Sequence, residues 1–161
     1  MALLFEELTV QGVTLHNRVV LPPLATEKST SEGLVTEELL SHYRSFAQTG
    51  IGLIVVEHAY VNKQGKASAR QLSVDSEKTV AGLSQLAATI KNQGCVAVMQ
   101  INHAGSAADN QVTDAEVVGP SAISHPRNTV VVPQELTVNE IAGIVEAFAA
   151  AAKRVQEAGF D

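Results

Sequence analysis

The sequence predicts an α/β fold built on parallel strands, and three observations predict it. Apolar runs alternate with amphipathic helical patterns. Two of those runs, residues 51–56 (IGLIVV) and 96–101 (VAVMQI), are apolar almost throughout. A glycine stands between each helix and the run that follows, at Gly50, Gly94 and Gly159. Alternation of this kind implies parallel strands joined by right-handed crossovers, and unbroken apolar runs suit strands covered on both faces. Periodicity alone leaves two architectures open, an open doubly wound sheet and a closed barrel. A doubly wound nucleotide fold would place a glycine-rich loop after its first strand. Here Pro22 and Pro23 stand there instead, and neither G-x-G-x-x-G nor a P-loop lysine motif occurs.

The elements follow in order. Residues 8–15 (LTVQGVTL) read as a hairpin turning at Gln11-Gly12. Residues 18–21 form a short strand that Pro22 must end or hold at a rim, since proline donates nothing to a ladder. After a polar loop at residues 29–33, Thr36 is an N-cap with Glu37 and Glu38 in the first turn. Leu39, Leu40, Tyr43, Phe46 and Ala47 then recur at helical spacing. Residues 51–56 are the second strand and residues 62–71 a loop. A second helix spans residues 76–92 with Val80, Leu83, Leu86, Ala87 and Ile90 on one stripe. Residues 96–101 are the third strand. A long loop at residues 102–136 is expected to carry minor structure of its own. Thr137 and Glu140 form a capping box. The helix it opens is expected to face inward with Ile141, Ile144, Val145, Phe148, Ala152 and Val155. Gly159-Phe160-Asp161 repeats the signal that precedes each strand, and the chain is read as truncated or processed at the opening of a fourth.

Composition removes several function classes. The 161 residues are 45% hydrophobic and 17% charged, as in a globular protein, with aromatics at 4%. A net charge of −6 argues against nucleic-acid binding. The single cysteine, Cys95, rules out a disulfide framework and a cysteine metal site within the chain and reads as a buried thiol. No His/Asp/Glu spacing suggests a metal, and no Ser–His–Asp arrangement stands out. The N-terminus lacks a signal peptide's basic residues. No apolar run nears the ~18 residues of a membrane span, so the cytosol is the expected compartment.

Function in a parallel barrel sits where strands end at their C-terminal side. There the sequence places Pro23, Leu24, Ala25, Glu57, His58, Gln100, Asn102 and His103. Glu57 suits either a neighbouring loop or a ligand, and His58 likewise. His103, before Ala104-Gly105, suits a cap on its own loop. Gln100, at the end of a buried strand, must find partners. Its adjacent donor and acceptor match the edge of a flavin pyrimidine, which presents N–H beside a carbonyl. His16 and His42 read as structural.

At these residues the chain resembles the old yellow enzyme family. Residues 15–26 (LHNRVVLPPLAT) resemble its opening strand, and residues 57–66 (EHAYVNKQGK) the second strand end. Residues 100–105 (QINHAG) resemble the third, residues 120–123 (PSAI) the following loop, and residues 158–161 (AGFD) the approach to the fourth. The resemblance implies a TIM (β/α)8 barrel, of which residues 1–161 supply the hairpin and the first three βα units. It implies FMN at the C-terminal rim, NADH or NADPH as reductant, and a small-molecule substrate such as an activated alkene. Backbone at Pro23, Leu24 and Ala25 would line the flavin, backbone near His58 would approach its carbonyl edge, and Gln100 would pair with its pyrimidine edge. Ala25 stands where many members carry Thr or Cys, and His58 replaces a small residue. The family's substrate-binding pair, proton-donating Tyr, ribityl-binding Arg and phosphate site all come later in the chain, so no catalytic residue is assigned here. Self-association or a separate C-terminal portion is expected to complete the barrel. The alternative is a catalytically inactive partial-barrel interaction module. An aldolase-type barrel lacks a candidate Schiff-base lysine at a strand end.

Overall fold

The computed structural model describes residues 3–126 and 129–161. In chain order its elements are β1 (Leu8–Val10), β2 (Val13–Leu15), β3 (Val20–Leu21), α1 (Glu37–Ala47), β4 (Leu53–Tyr60), β5 (Leu72–Ser73), α2 (Val80–Lys91), β6 (Val96–Asn102), α3 (Asn110–Thr113), β7 (Val118–Gly119), β8 (Gln134–Glu135) and α4 (Val138–Glu157).

The hairpin β1–β2 is antiparallel and turns on Gln11 and Gly12, both left-handed at φ 48° and 87°. Two consecutive left-handed residues match the twist of the flanking strands.

The main sheet is parallel throughout. Val20 pairs with Leu53, and Leu53 in turn with Val96, so β3, β4 and β6 lie side by side in sequence order. Tyr60 pairs with both Ser73 and Asn102, which puts β5 on β4's other side, above β3. α1 packs on α2, and α2 on α4, in one row. Ile54, Val56, Leu83, Leu86 and Ile90 are fully buried between strands and helices. On the opposite strand face Leu53, Val55 and Val98 are only half-buried. A doubly wound sheet carries helices on both faces. One helix layer outside sequentially adjacent parallel strands is an arc of a barrel wall.

The predicted caps form. Thr36 accepts from the Leu39 N–H at 3.2 Å, and Thr137 and Glu140 make a reciprocal capping box. Gly50, Gly94 and Gly159 are all left-handed, at φ 80°, 83° and 88°, which ends each helix and redirects the chain.

Several expectations need correction. β4 runs on through Tyr60, so Glu57, His58 and Ala59 lie within the strand. Only Val20 and Leu21 of residues 18–21 are strand. The loop at residues 62–71 contains a 3-10 turn, Lys63–Gly65, and is followed by the unpredicted β5. The second helix opens with a 3-10 turn, Glu77–Thr79, before α2 proper.

α4 is turned relative to its predicted face. Ala151 is buried, and Phe148 and Val155 pack partly against the core. Ile141 is 43% exposed, Val145 63% exposed, and Ala152 exposed. The line nearest the core runs through half-buried Ala147, buried Ala151 and, at the C-cap, buried Ala158. Of the larger residues, Ile144, Phe148 and Val155 are half-buried beside that line, and Ile141 and Val145 lie outside it.

The last residues reach the free edge of β6. The Asp161 N–H donates to the Ala97 carbonyl at 2.8 Å, and the Ala97 N–H donates to the Asp161 carboxylate at 3.1 Å. Lys91 pairs with the same carboxylate at 2.6 Å, and Phe160 is buried. Among the described residues no helix is long and apolar enough to cross a membrane.

Candidate functional site at the strand ends

The register of β4 against β6 breaks at the rim. Val56 faces Met99, and the next pair is Ala59 with Ile101, so Glu57 and His58 together stand opposite Gln100. This is a β-bulge, a device that bends a strand and redirects its side chains. It brings two of the sequence-predicted site residues, His58 and Gln100, to the same level of the sheet.

Gln100 is exposed, where a buried amide was expected. Alternation explains the difference. Ala97, Met99 and Ile101 point into the helix-side core, so Val98, Gln100 and Asn102 take the uncovered face. The exposed Gln100 amide makes no hydrogen bond among the described residues, so both its donor and its acceptor are open to a ligand.

Glu57 does the loop work that the sequence left as one of two options. Its carboxylate is buried and accepts from both the backbone N–H and, at 2.9 Å, the hydroxyl of Thr26. Its own N–H donates to the Tyr43 hydroxyl oxygen at 2.8 Å. Burial pushes the Glu57 carboxyl above the usual carboxylate range, against the opposing pull of the Thr26 hydrogen bonds. Burial likewise pushes the Tyr43 phenol up. The segment so anchored displays Pro23 half-buried, Leu24 at 65% exposure, and Ala25 exposed. A mostly apolar cleft of about 330 Å³ runs from Leu24 and Ala25 to His42, Tyr43 and Phe46 on α1. Neither His58 nor Gln100 lines it, so it meets the rim only through the segment of Leu24 and Ala25.

His58 is half-buried, and burial holds its imidazole below the ordinary histidine value. Its partner is Gln71, which sequence reasoning missed. Gln71 is 2% exposed and sits just before β5. The Ala67 N–H donates to its Oε1 at 2.7 Å. Its Nε2 lies 2.8 Å from Asn102 Oδ1 and 3.3 Å from both the carbonyl oxygen and Nδ1 of His58. The only signal for it in the sequence was the apolar Leu72 and Val74 that follow the polar loop.

Three further histidines, His16, His42 and His103, have structural settings. His103 Nδ1 accepts from the Gly105 N–H at 3.0 Å, the expected loop cap. Its ring fills the space where any side chain on Gly65 would stand, and its Nε2 is buried without a partner. His16 bonds the Gly50 carbonyl at 3.2 Å, and His42 packs edge-on against Tyr43 and Phe46. The rim loops are braced to one another. Buried Lys66 donates to the Ser31 carbonyl at 2.6 Å. Glu27 accepts from the Arg70 N–H at 2.9 Å and from the Ser68 hydroxyl.

The model of the NADH:flavin oxidoreductase / NADH oxidase family matches residues 3–161. An NADPH dehydrogenase of Clostridium acetobutylicum is 39% identical over 158 residues, which is 98% of this chain and 46% of that protein. An NADH oxidase of Thermoanaerobacter brockii is 37% identical over 161 residues, 98% of this chain and 24% of that one. The crystal structure of the old yellow enzyme homologue from Zymomonas mobilis superposes with a TM-score of 0.88 at 23% identity. It covers 98% of this chain and 46% of its own. At that identity the likeness concerns the fold, and the arc described above is the N-terminal part of a TIM (β/α)8 barrel. The chain spans about half the length, or less, of these relatives.

Proposed function

The chain belongs to the NADH:flavin oxidoreductase / NADH oxidase family, and on that premise we propose that its rim forms one side of an FMN site in an NAD(P)H-dependent oxidoreductase. The observation that carries this reading is Gln100. Its amide stands unpartnered among the described residues, on the uncovered face of β6, level with the bulge in β4. A side-chain amide offers N–H and C=O side by side, the complement of the flavin's pyrimidine edge. Backbone at Pro23, Leu24 and Ala25 lines the ring, and Glu57 holds that segment in place through Thr26. Backbone near His58 meets the carbonyl edge. FMN held there would supply the hydride chemistry that links NADH or NADPH to a small substrate, for which an activated alkene is the proposed class. This chain's residues hold and orient the ring, and none of them is assigned a proton-transfer role.

The test is NMR of the isotope-labelled chain titrated with FMN. The Gln100 side-chain amide resonances shift. Gln100→Leu weakens binding by roughly 1–3 kcal/mol, the cost of a lost hydrogen-bonded pair, or about 5- to 150-fold. An unchanged affinity in that variant would remove Gln100 from the site.

One observation favours a second reading, a partial-barrel interaction module without catalysis. Val138, Ile141 and Val145 leave an apolar stripe on α4 at 82%, 43% and 63% exposure. The same titration separates the two, because a pure interaction module gives no FMN-dependent shift at the rim.

A further inference from the structure

We infer that Gln71 is a positioning residue that sets His58 as an Nε2–H donor and Asn102 as an Nδ2 donor, adding two hydrogen-bond donors to the rim beside Gln100. This rests on reading the rim as a ligand site, and it names the chemistry of the ligand's facing edge: acceptor atoms, such as ring or substrate carbonyl oxygens.

The orientation of the Gln71 amide follows from its neighbours. The Ala67 backbone N–H can only donate, so the atom it meets at 2.7 Å is the carbonyl oxygen Oε1. The His58 carbonyl oxygen can only accept, so the atom facing it at 3.3 Å is Nε2. Nε2 carries two hydrogens. One goes to Asn102 at 2.8 Å, and the atom that receives it must be Oδ1. The other is shared between the carbonyl oxygen and Nδ1 of His58, both at 3.3 Å. Nδ1 is therefore an acceptor. A neutral imidazole with an accepting Nδ1 carries its proton on Nε2. Burial favours the neutral ring, and the Glu27 carboxylate is the charged group that pulls the other way. On Asn102, an Oδ1 committed to Gln71 leaves both Nδ2 hydrogens for another acceptor.

The bulge makes this assignment consequential. It places His58 opposite Gln100, and strand alternation puts Asn102 on the same face of β6 as Gln100. Gln71, buried and outside either strand, ties the ends of β4 and β6 together. It thereby fixes the polarity of two side chains that would otherwise be free to flip.

The experiment is long-range ¹H–¹⁵N NMR of the histidine-labelled chain, in which the ring nitrogens report the tautomer directly. In the wild type His58 shows the Nε2–H form in excess on the order of tenfold, as one net hydrogen bond supports. Gln71→Leu removes the donor and brings the two tautomers towards parity. Gln71→Glu keeps the size and the acceptor for Ala67 but presents an acceptor to Nδ1. His58 then shifts to Nδ1–H or imidazolium, and its titration moves to higher pH. A wild-type ring in the Nδ1–H form, or a tautomer ratio unmoved by both variants, overturns the proposal. A purely structural Gln71 would alter stability in these variants and leave the wild-type tautomer ratio in place. Titration with FMN forms a separate arm. A His58 Nε2 resonance that shifts with FMN supports the donor role. A fixed Nε2–H tautomer with no FMN response counts against the flavin reading of the rim and leaves the positioning assignment standing.

Discussion

Glu57 is a buried carboxylate whose oxygens accept from Thr26, and its raised pKa has a definite sign for stability. In the unfolded chain the carboxyl ionises in the ordinary carboxylate range, whereas in the folded protein burial makes it hold its proton to higher pH. Between those two values the unfolded state has released a proton that the folded state keeps. Glu57 therefore contributes most below its unfolded pKa, and that contribution is lost as pH rises through the folded one. Glu57→Gln should flatten this slope with little change in stability, since its Oε1 accepts from the Thr26 N–H and its Nε2 donates to the hydroxyl. Glu57→Leu should cost about 1–3 kcal/mol by stranding the Thr26 N–H. Urea unfolding across a pH series checks both. At this scale the sequence was legible where a polar residue closed an apolar run, as at His58 and Gln100. It was silent on Gln71, whose importance comes from two strand ends that meet only in the folded chain. It also misjudged Gln100's burial, because a strand's apolar neighbours do not say which of its faces is covered.

α4 shows how far periodicity goes at the scale of an element. The capping box and helix length were readable, because both depend on residues within a turn of each other. The buried face was not, because alanines and larger side chains compete for it and the outcome depends on how close α2 and β6 come. The energetic consequence is measurable. Phe148 is half-buried, so Phe148→Ala should cost about 1.5–2.5 kcal/mol, near half the ~3–5 kcal/mol of a fully buried phenylalanine. Val145→Lys should change stability by less than about 0.5 kcal/mol, as for an ordinary surface site. Thr137→Ala should cost about 1 kcal/mol through loss of the cap. Chemical denaturation of the three variants ranks them. A Val145→Lys loss as large as that of Phe148→Ala would restore the originally predicted face.

For the whole molecule, the distinction between an open sheet and a barrel wall could not be read from alternation, which both share. It lies in strand order and in the single helix layer, both products of long-range pairing. The open arc leaves Leu53, Val55 and Val98 half-covered on its inner face, and Val138, Ile141 and Val145 bare on α4. Apolar surface of this extent promotes association. The 161-residue chain alone is expected to self-associate with concentration in light scattering, to bind FMN only weakly, and to show no NADH oxidation with FMN added. A monomer holding FMN stoichiometrically would contradict this, since the proposed rim would meet a flavin from one side only.

The sequential strand order also bears on how the chain is made. β3 pairs with β4 and β4 with β6, so each strand docks on one already synthesised. A chain leaving the ribosome N-terminus first can thus add its βα units one at a time, each on a finished template. In an open sheet whose order reverses, an early strand must wait with a bare edge for a partner made much later. Here the outer edge of β3 also stays open, but each strand added to the growing wall, β4 and then β6, finds its partner already made. Arrested nascent chains of increasing length should accordingly acquire protease resistance in steps, the first when α2 has cleared the exit tunnel.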